Sequence, residues 1–261
     1  MQVLLLTDFS NNAKKMQEYA LNFFGNREVH FTLFHAMKPC KSASCEGACA
    51  MSRQKSLDLN FNNLHKLLKP NQTLSKVFVK NFLVDSVRNY IQKSTTDMIV
   101  MGGKGRTSDE NRQFGKNTFD IVTKIRCPIL VVHEDTAIKI PGSIVFPLDY
   151  STSVRTEYFA TVNKLDFWKD VKLSILEVPN KMFNNLLFQN NNKQKISKAF
   201  DNINYNFKRM KPLDSNAICQ NCLDADMIMF MAKNLTISSQ IFHQLDTSPD
   251  NQKTPLLVLH A

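Results

Sequence analysis

Asp8, three glycines at 102, 105 and 115, and the run Lys116-Asn117-Thr118 are the residues whose types and spacing suit the holding of an anion. Gly102-x-x-Gly105 lets main chain approach a ligand where a Cβ would collide. Gly115 follows at a predicted helix start, where free backbone N–H groups and the positive end of the helix dipole favour phosphate oxygens. Lys116 adds a point charge, Thr118 a hydroxyl, and Asp8 a carboxylate able to accept hydrogen bonds from a sugar or a base. The pattern is neither the Walker A loop nor G-x-G-x-x-G.

A second set of reactive residues is the trio Cys40, Cys45 and Cys49, with His35 nearby, and Cys219-x-x-Cys222 offers two further thiols. Their spacing fits no standard zinc pattern. Independent thiols, buried or free, are the expected state, since cysteine is commonly a small buried hydrophobe; no metal ion is expected. His35 and His133 end strands and read as hydrogen-bonded structural residues. His30, His65, His243 and His260 pair with no acidic residue identifiable from the sequence. Apart from Asp8, only Asp109 and Glu110 offer carboxylates near the glycines, so binding without catalysis is expected.

The elements that must position these groups alternate between strand and helix periods. Strands are predicted at 3–7, 29–35, 75–79, 98–101 and 128–133, and helices at 11–24, 54–68, 84–93 and 117–124, with Ser10 or Asn11 as the first N-cap. Such alternation means a parallel sheet covered on both faces. In an open sheet of this kind ligands sit beyond the carboxyl ends of the strands, where strand order reverses, and Asp8 and Gly102 both follow strand ends.

The pattern occurs twice. Val3 to Ser10 returns as Ile144 to Ser151, and Asp97-Met98-Ile99-Val100-Met101 returns as Asp226-Met227-Ile228-Met229-Phe230. Two tandem domains are therefore expected, at 1–138 and 143–261, joined by the stretch from His133 to Gly142. The second copy predicts strands at 144–147, 171–178, 228–231 and 256–260 and helices at 155–163 and 193–203, with the Asn-rich run 184–192 as a turn or helix end. It is shorter between its two signatures, and Pro39 to Arg53 reads as an insertion of copy one. Only Asp149 survives from the glycine constellation, so copy two is expected not to bind.

Composition narrows the class. At 43% hydrophobic and 21% charged, the 261-residue chain has the make-up of a globular protein. No apolar run reaches the roughly 20 residues of a membrane span, and Met1 to Leu6 reads as a strand, which makes the cytoplasm the expected compartment. The net charge is +10, with 20 basic and 12 acidic residues up to Ile140 against 13 and 11 beyond it. The excess lies with the glycines, where a positive field concentrates anions. No nucleic-acid-binding module is recognisable.

A strand ending Thr7-Asp8-Phe9-Ser10, a fourth strand ending Val100-Met101-Gly102, then Gly105, Gly115 and the closing Cys127-Pro128-Ile129-Leu130-Val131-Val132 resemble the universal stress protein family. The resemblance is strong over residues 1–134 and rests on strand signatures alone over 143–261. It implies an α/β fold of two tandem doubly wound five-stranded parallel sheets, of the adenine nucleotide alpha hydrolase-like type, and ATP or a related adenine nucleotide such as ADP or AMP as ligand, with Mg²⁺ a possible companion. It places Asp8 and backbone at Ala36 on the adenosine part, Met101 and Gly102 beside the ribose, and Gly105, Gly115, Lys116, Asn117 and Thr118 around the phosphates. It further implies pairing of the two copies through their last strands, Ile129–Val132 and Leu256–Leu259, and permits a homodimer. The family usually carries Ser or Thr where this chain has Lys116, which either strengthens triphosphate binding by charge or fills the cradle by bulk. A nucleotide-free interaction module with a metal or redox site at 40–49 is the alternative reading.

Overall fold

The structure is a computed structural model that describes residues 1–40, 45, 47–105, 114–165, 170–180, 182–183, 185–201, 203–210, 225–247 and 254–260. The chain divides into two compact units, Met1–Lys139 and Ile140–Ala261. Trp168, Cys219, Cys222, Asp109 and Glu110 lie outside the described residues.

Unit one is built from β1 (Gln2–Leu6), α1 (Asn11–Phe24), β2 (Val29–Ala36), α2 (Ala48–His65), β3 (Gln72–Val79), α3 (Leu83–Lys93), β4 (Met98–Gly102), α4 (Lys116–Lys124) and β5 (Ile129–Val132). Its strands lie in the order β3-β2-β1-β4-β5, all parallel. Strands β1, β4 and β5 are apolar on both faces, and Leu4, Leu5, Ile99, Val100, Leu130 and Val131 are fully enclosed. Right-handed crossovers put α1 and α2 over one face and α3 and α4, which pack on each other, over the other. The apolar stripe of α1 holds Met16, Ala20, Phe23 and Phe24 in the core. Ser10 caps this helix as expected, its Oγ accepting from the Ala13 amide at 3.1 Å. α2 begins at Ala48, so part of the expected insertion is helix.

Unit two repeats the order as β8-β7-β6-β9-β10, again parallel, from β6 (Ser143–Leu148), β7 (Lys172–Glu177), β8 (Tyr205–Arg209), β9 (Met227–Met231) and β10 (Leu256–Leu259). Among its described residues the α-helices are α5 (Leu186–Ala199) and α6 (Leu235–Thr247). Two elements depart from the sequence pattern. The helix expected at 155–163 is two short 3-10 turns, Thr156–Phe159 and Val162–Lys164, with Phe159 packed between Phe146 and Phe200 at ring centroid distances of 5.9 and 4.6 Å. α5 begins at Leu186 and not at 193, so the Asn-rich run forms the start of a helix, one of the two states expected of it. Asn185 caps it by accepting from the Phe188 amide, and buried Asn192 accepts the Val154 amide at 2.8 Å. β8 has the exposed alternation of an edge strand and too few apolar residues to register as a strand in the sequence.

The paired signatures have a structural reason. Asp97 accepts the Gln2 amide at 2.8 Å, and Asp226 accepts the Gly142 and Ser143 amides at 2.9 and 3.0 Å and the Ser143 hydroxyl at 3.1 Å. In each unit the carboxylate before the fourth strand grips the start of the first strand, its neighbour in the sheet. Among the described residues no helix is long and apolar enough to cross a membrane. Replacing Asp226 with Ala leaves three donors without their acceptor, and charged hydrogen bonds are worth about 1.5–3 kcal/mol. Urea unfolding of Asp226→Ala is expected to show a loss of that size, with part of it recovered in Asp226→Asn.

Candidate functional site

The chain turns sharply after β1. Phe9 lies in the left-handed region at φ 67°, a conformation costing on the order of 1–3 kcal/mol in a non-glycine residue. Two local bonds hold it: the Phe9 amide donates to Thr7 Oγ1 at 3.2 Å and the Ser10 amide to Asp8 Oδ1 at 3.0 Å. The Phe9 ring packs on His35 at 4.4 Å between centroids. Asp8 is thereby fixed, half-buried, at the strand end. Tyr150 repeats the turn in unit two with φ 58°, and the Ser151 amide donates to Asp149 Oδ1 at 2.9 Å.

Beyond β4 the main chain is pinned from three sides. Asn12 Nδ2 donates to the Lys104 carbonyl at 3.0 Å, the Gly103 amide to Val132 O at 2.9 Å, and the Gly115 amide to Gly103 O at 2.9 Å. A Cβ at Gly102 would lie 2.9 Å from Asn12 Nδ2, and one at Gly103 would lie 2.5 Å from His133 Nδ1. A side chain at either position would have to push Asn12 of α1 or His133 at the end of β5 aside, a packing reason that stands beside the ligand clearance read in the sequence. Gly103, which sequence reasoning passed over, is the tighter of the two. Thr118 also has another job than the one expected. It is buried, 2% exposed, and its hydroxyl sits 3.0 Å from both the Gly102 and Gly103 carbonyls, fastening α4 to the loop.

A cavity of about 350 Å³ opens at this edge of the sheet. Asp8, Ala36, Met101, Gly102, Gly105, Lys116, Asn117 and Thr118 all line it. Gly115 stands just behind as the N-cap of α4, where no side chain caps the helix. Lys116 and Asn117 are exposed in the first turn. The structure adds residues the sequence did not single out: Lys38 and Lys104, bringing the lining lysines to three, the apolar run Phe82-Leu83-Val84 at the start of α3, and Asp120. Asp120 pairs with Lys124 at 2.6 Å. Phe82 is half-exposed and reads as helix-start packing in a sequence; a lysine has no positional signal at all.

His35, also on the lining, is buried between Phe9 and Phe78, and its Nδ1–H donates to Thr7 O at 2.7 Å. Burial holds its pKa below the ordinary 6.5, outweighing that backbone bond. The imidazole is a neutral structural donor.

The equivalent place in unit two is closed. Residues 232–234 alone join β9 to α6, where 103–115 join β4 to α4. Asn234, 1% exposed, accepts the Ile237 amide at 3.2 Å, which caps α6, and donates to Asp149 Oδ1 at 2.7 Å. Asp149, also 1% exposed, accepts further from the Ser151 hydroxyl at 2.7 Å and from Asn180 Nδ2 at 3.0 Å.

The three cysteines of the 40–49 segment are free thiols, as one of the expected states has it, but they are clustered and not independent. Their sulfurs all lie within 4.8 Å of one another, with Cys40 exposed and Cys45 and Cys49 half-buried. Cys127, in contrast, is buried, and its thiol is pushed up to about 12 by desolvation.

Two outcomes follow from this geometry. Gly103→Ala must displace a buried imidazole, and overpacking of this kind costs about 1–3 kcal/mol; chemical denaturation is expected to show that loss, reduced when His133 is shortened to Ser. His35 is neutral in the fold at pH values where the unfolded chain is protonated. Its contribution is thus complete above 6.5 and is lost as pH falls from 6.5 through the depressed folded pKa. One such group gives a slope of at most about 1.4 kcal/mol per pH unit. His35→Asn, which keeps a donor for Thr7 O, is expected to flatten that acid limb of the stability profile.

The model of the universal stress protein family matches residues 1–133. Among solved structures, a universal stress protein from Archaeoglobus fulgidus is 16% identical with a TM-score of 0.69, covering 98% of this chain and 97% of that one. A putative universal stress protein from Pseudomonas aeruginosa is 13% identical with a TM-score of 0.57, covering 99% and 92%. At these identities the likeness is one of fold. No curated protein matches the chain. Parallel sheet order, glycine path and family match agree, and the chain belongs to the universal stress protein family.

Proposed function

We propose that unit one binds ATP, or the related ADP or AMP, and that occupancy sets its shape or its partners as a stress-responsive regulator in the cytoplasm, with unit two as a non-binding companion. The observation that carries this reading is the uncapped N-terminus of α4 opening on a cavity lined by three lysines, set against the α6 terminus, which its own Asn234 caps. The size is suitable, since small-molecule sites run from about 300 to 1,000 Å³.

In this reading the phosphates lie against the first-turn amides of α4 and Gly105, with Gly115 setting the approach and Lys116, Lys38, Lys104 and Asn117 supplying charge and hydrogen bonds. Asp8 takes the ribose or base hydroxyls and amines, backbone at Ala36 meets the base, Met101 and Gly102 flank the ribose, and Phe82, Leu83 and Val84 give the base an apolar wall. Thr118 acts indirectly, by holding the loop. Mg²⁺ fits as an ion carried mainly by phosphate and water, with Asp8 the lining carboxylate nearest to that role, Asp120 being paired with Lys124. In this reading the unit binds the nucleotide without acting on it. A switch needs only a difference in affinity between two conformations.

Thermal melts with ATP, ADP and AMP test this, because a ligand at 100 times its Kd stabilises by about 2.7 kcal/mol. The expected order is ATP, then ADP, then AMP. Lys116→Glu is expected to weaken ATP at least tenfold and adenosine little. Tighter ATP binding by Lys116→Ala would mean that the lysine fills the cradle. Absence of a shift with every adenylate would remove the proposal.

A further inference from the structure

The segment between β2 and α2 carries a cluster that the nucleotide reading does not use. Gly47 adopts φ 84°, with nothing near the position of a Cβ, and turns the chain so that Cys45 lies back over the first turn of α2. The Cys49 amide donates to Cys45 Sγ at 3.4 Å, and the two sulfurs are 2.9 Å apart. Cys40 approaches from the strand side, and all three sulfurs fall within 4.8 Å of one another. Among the described residues no fourth His, Cys, Asp or Glu joins them at that distance.

Around a single ion, bonds of about 2.3 Å hold thiolate sulfurs roughly 3.8–4.0 Å apart, so a small opening of the Cys45–Cys49 pair accommodates one. Cysteines that serve only as packing are buried, as Cys127 is, whereas these three reach solvent. The first turn of α2, whose amide at Cys49 already points at the Cys45 sulfur, favours negative charge on these sulfurs.

We infer that Cys40, Cys45 and Cys49 form a three-thiolate site for one soft d¹⁰ cation, Cu⁺ or Zn²⁺, beside the end of β2. Thiolates select such ions over hard ones. Binding releases the thiol protons to solvent and leaves each sulfur bonded to the metal with no change of oxidation state. Three donors complete a trigonal Cu⁺ site, while Zn²⁺ takes a water as its fourth ligand. The site is independent of the adenine nucleotide.

The full chain, purified reduced and without oxygen, is titrated with Cu⁺ and separately with Zn²⁺ against a coloured chelator, and bound metal is counted by mass spectrometry. One ion per chain is expected from at least one titration, with affinity lowered at least 100-fold in Cys45→Ser and in Cys49→Ser and unchanged in Cys127→Ser. The titration that gives the tighter complex identifies the ion. If a serine variant does not fold, protection of the three parent thiols from iodoacetamide by the bound metal gives the same answer. The inference is overturned if neither ion binds stoichiometrically, if the Cys40, Cys45 and Cys49 triple serine variant keeps the ion, or if the three thiols alkylate equally with and without metal. Melts with ATP in the triple variant separate this outcome from that of the nucleotide proposal, since they are expected to match the parent.

Discussion

Neighbouring parallel strands whose crossovers run to opposite sides cannot be bridged at their carboxyl ends, and in unit one that gap falls between β1 and β4. The chain leaves β1 for one side of the sheet and β4 for the other, so their ends face a space that neither following helix closes. Every feature of the candidate site is arranged around that opening. The left-handed turn at Phe9 aims Asp8 along it, and the pinned main chain at Gly102 to Lys104 forms one wall. α4 starts at its far side with its amides uncapped.

Unit two has the same gap and fills it. The turn after its first strand, the left-handed aromatic and the aspartate gripping the first strand are all repeated. At the gap itself, the difference lies in the connection after the fourth strand. Shortened to residues 232–234, it brings Asn234 against Asp149, and hydrogen bonds that an outside ligand would otherwise make are made within the chain. A buried carboxylate needs such partners, since leaving it without them is costly. Scaffold and cradle are thus separable: the first is shared by both units, and the second depends on one loop.

Within unit one, packing and the cavity wall meet at adjacent residues. A side chain at Gly102 or Gly103 would press on Asn12 or His133, and the bare backbone at Gly102 is also part of the cavity lining. Thr118 closes the arrangement by bonding to the carbonyls of both glycines, so its hydroxyl stabilises the loop. The positive charge that distinguishes the first half of the sequence reaches the cavity through Lys38, Lys104 and Lys116, from three different segments.

The alternation of strands and helices, the duplication, the first N-cap and most of the candidate site were legible in the sequence, because each is written within a short window: apolar runs, a Ser before a helix period, glycines after a strand. Asp8, Met101, Gly102, Gly105, Lys116 and Asn117 reach the cavity for that reason. Lys38, Lys104 and Phe82 were not legible, since nothing in their own neighbourhoods distinguishes a lysine or phenylalanine that lines a cavity from one that faces solvent. The 3-10 turns at 156–164 were likewise not legible, and their Phe159 packs on Phe146 and Phe200 from elsewhere in the chain. Convergence of Cys40, Cys45 and Cys49 required the reversal at Gly47, and closure of unit two required Asn234 to meet a carboxylate 85 positions away. The sequence by itself determined periodicity and local turns, which depend on nearest neighbours; only the tertiary structure decided which polar groups meet, because those meetings depend on where the sheet delivers the ends of its strands.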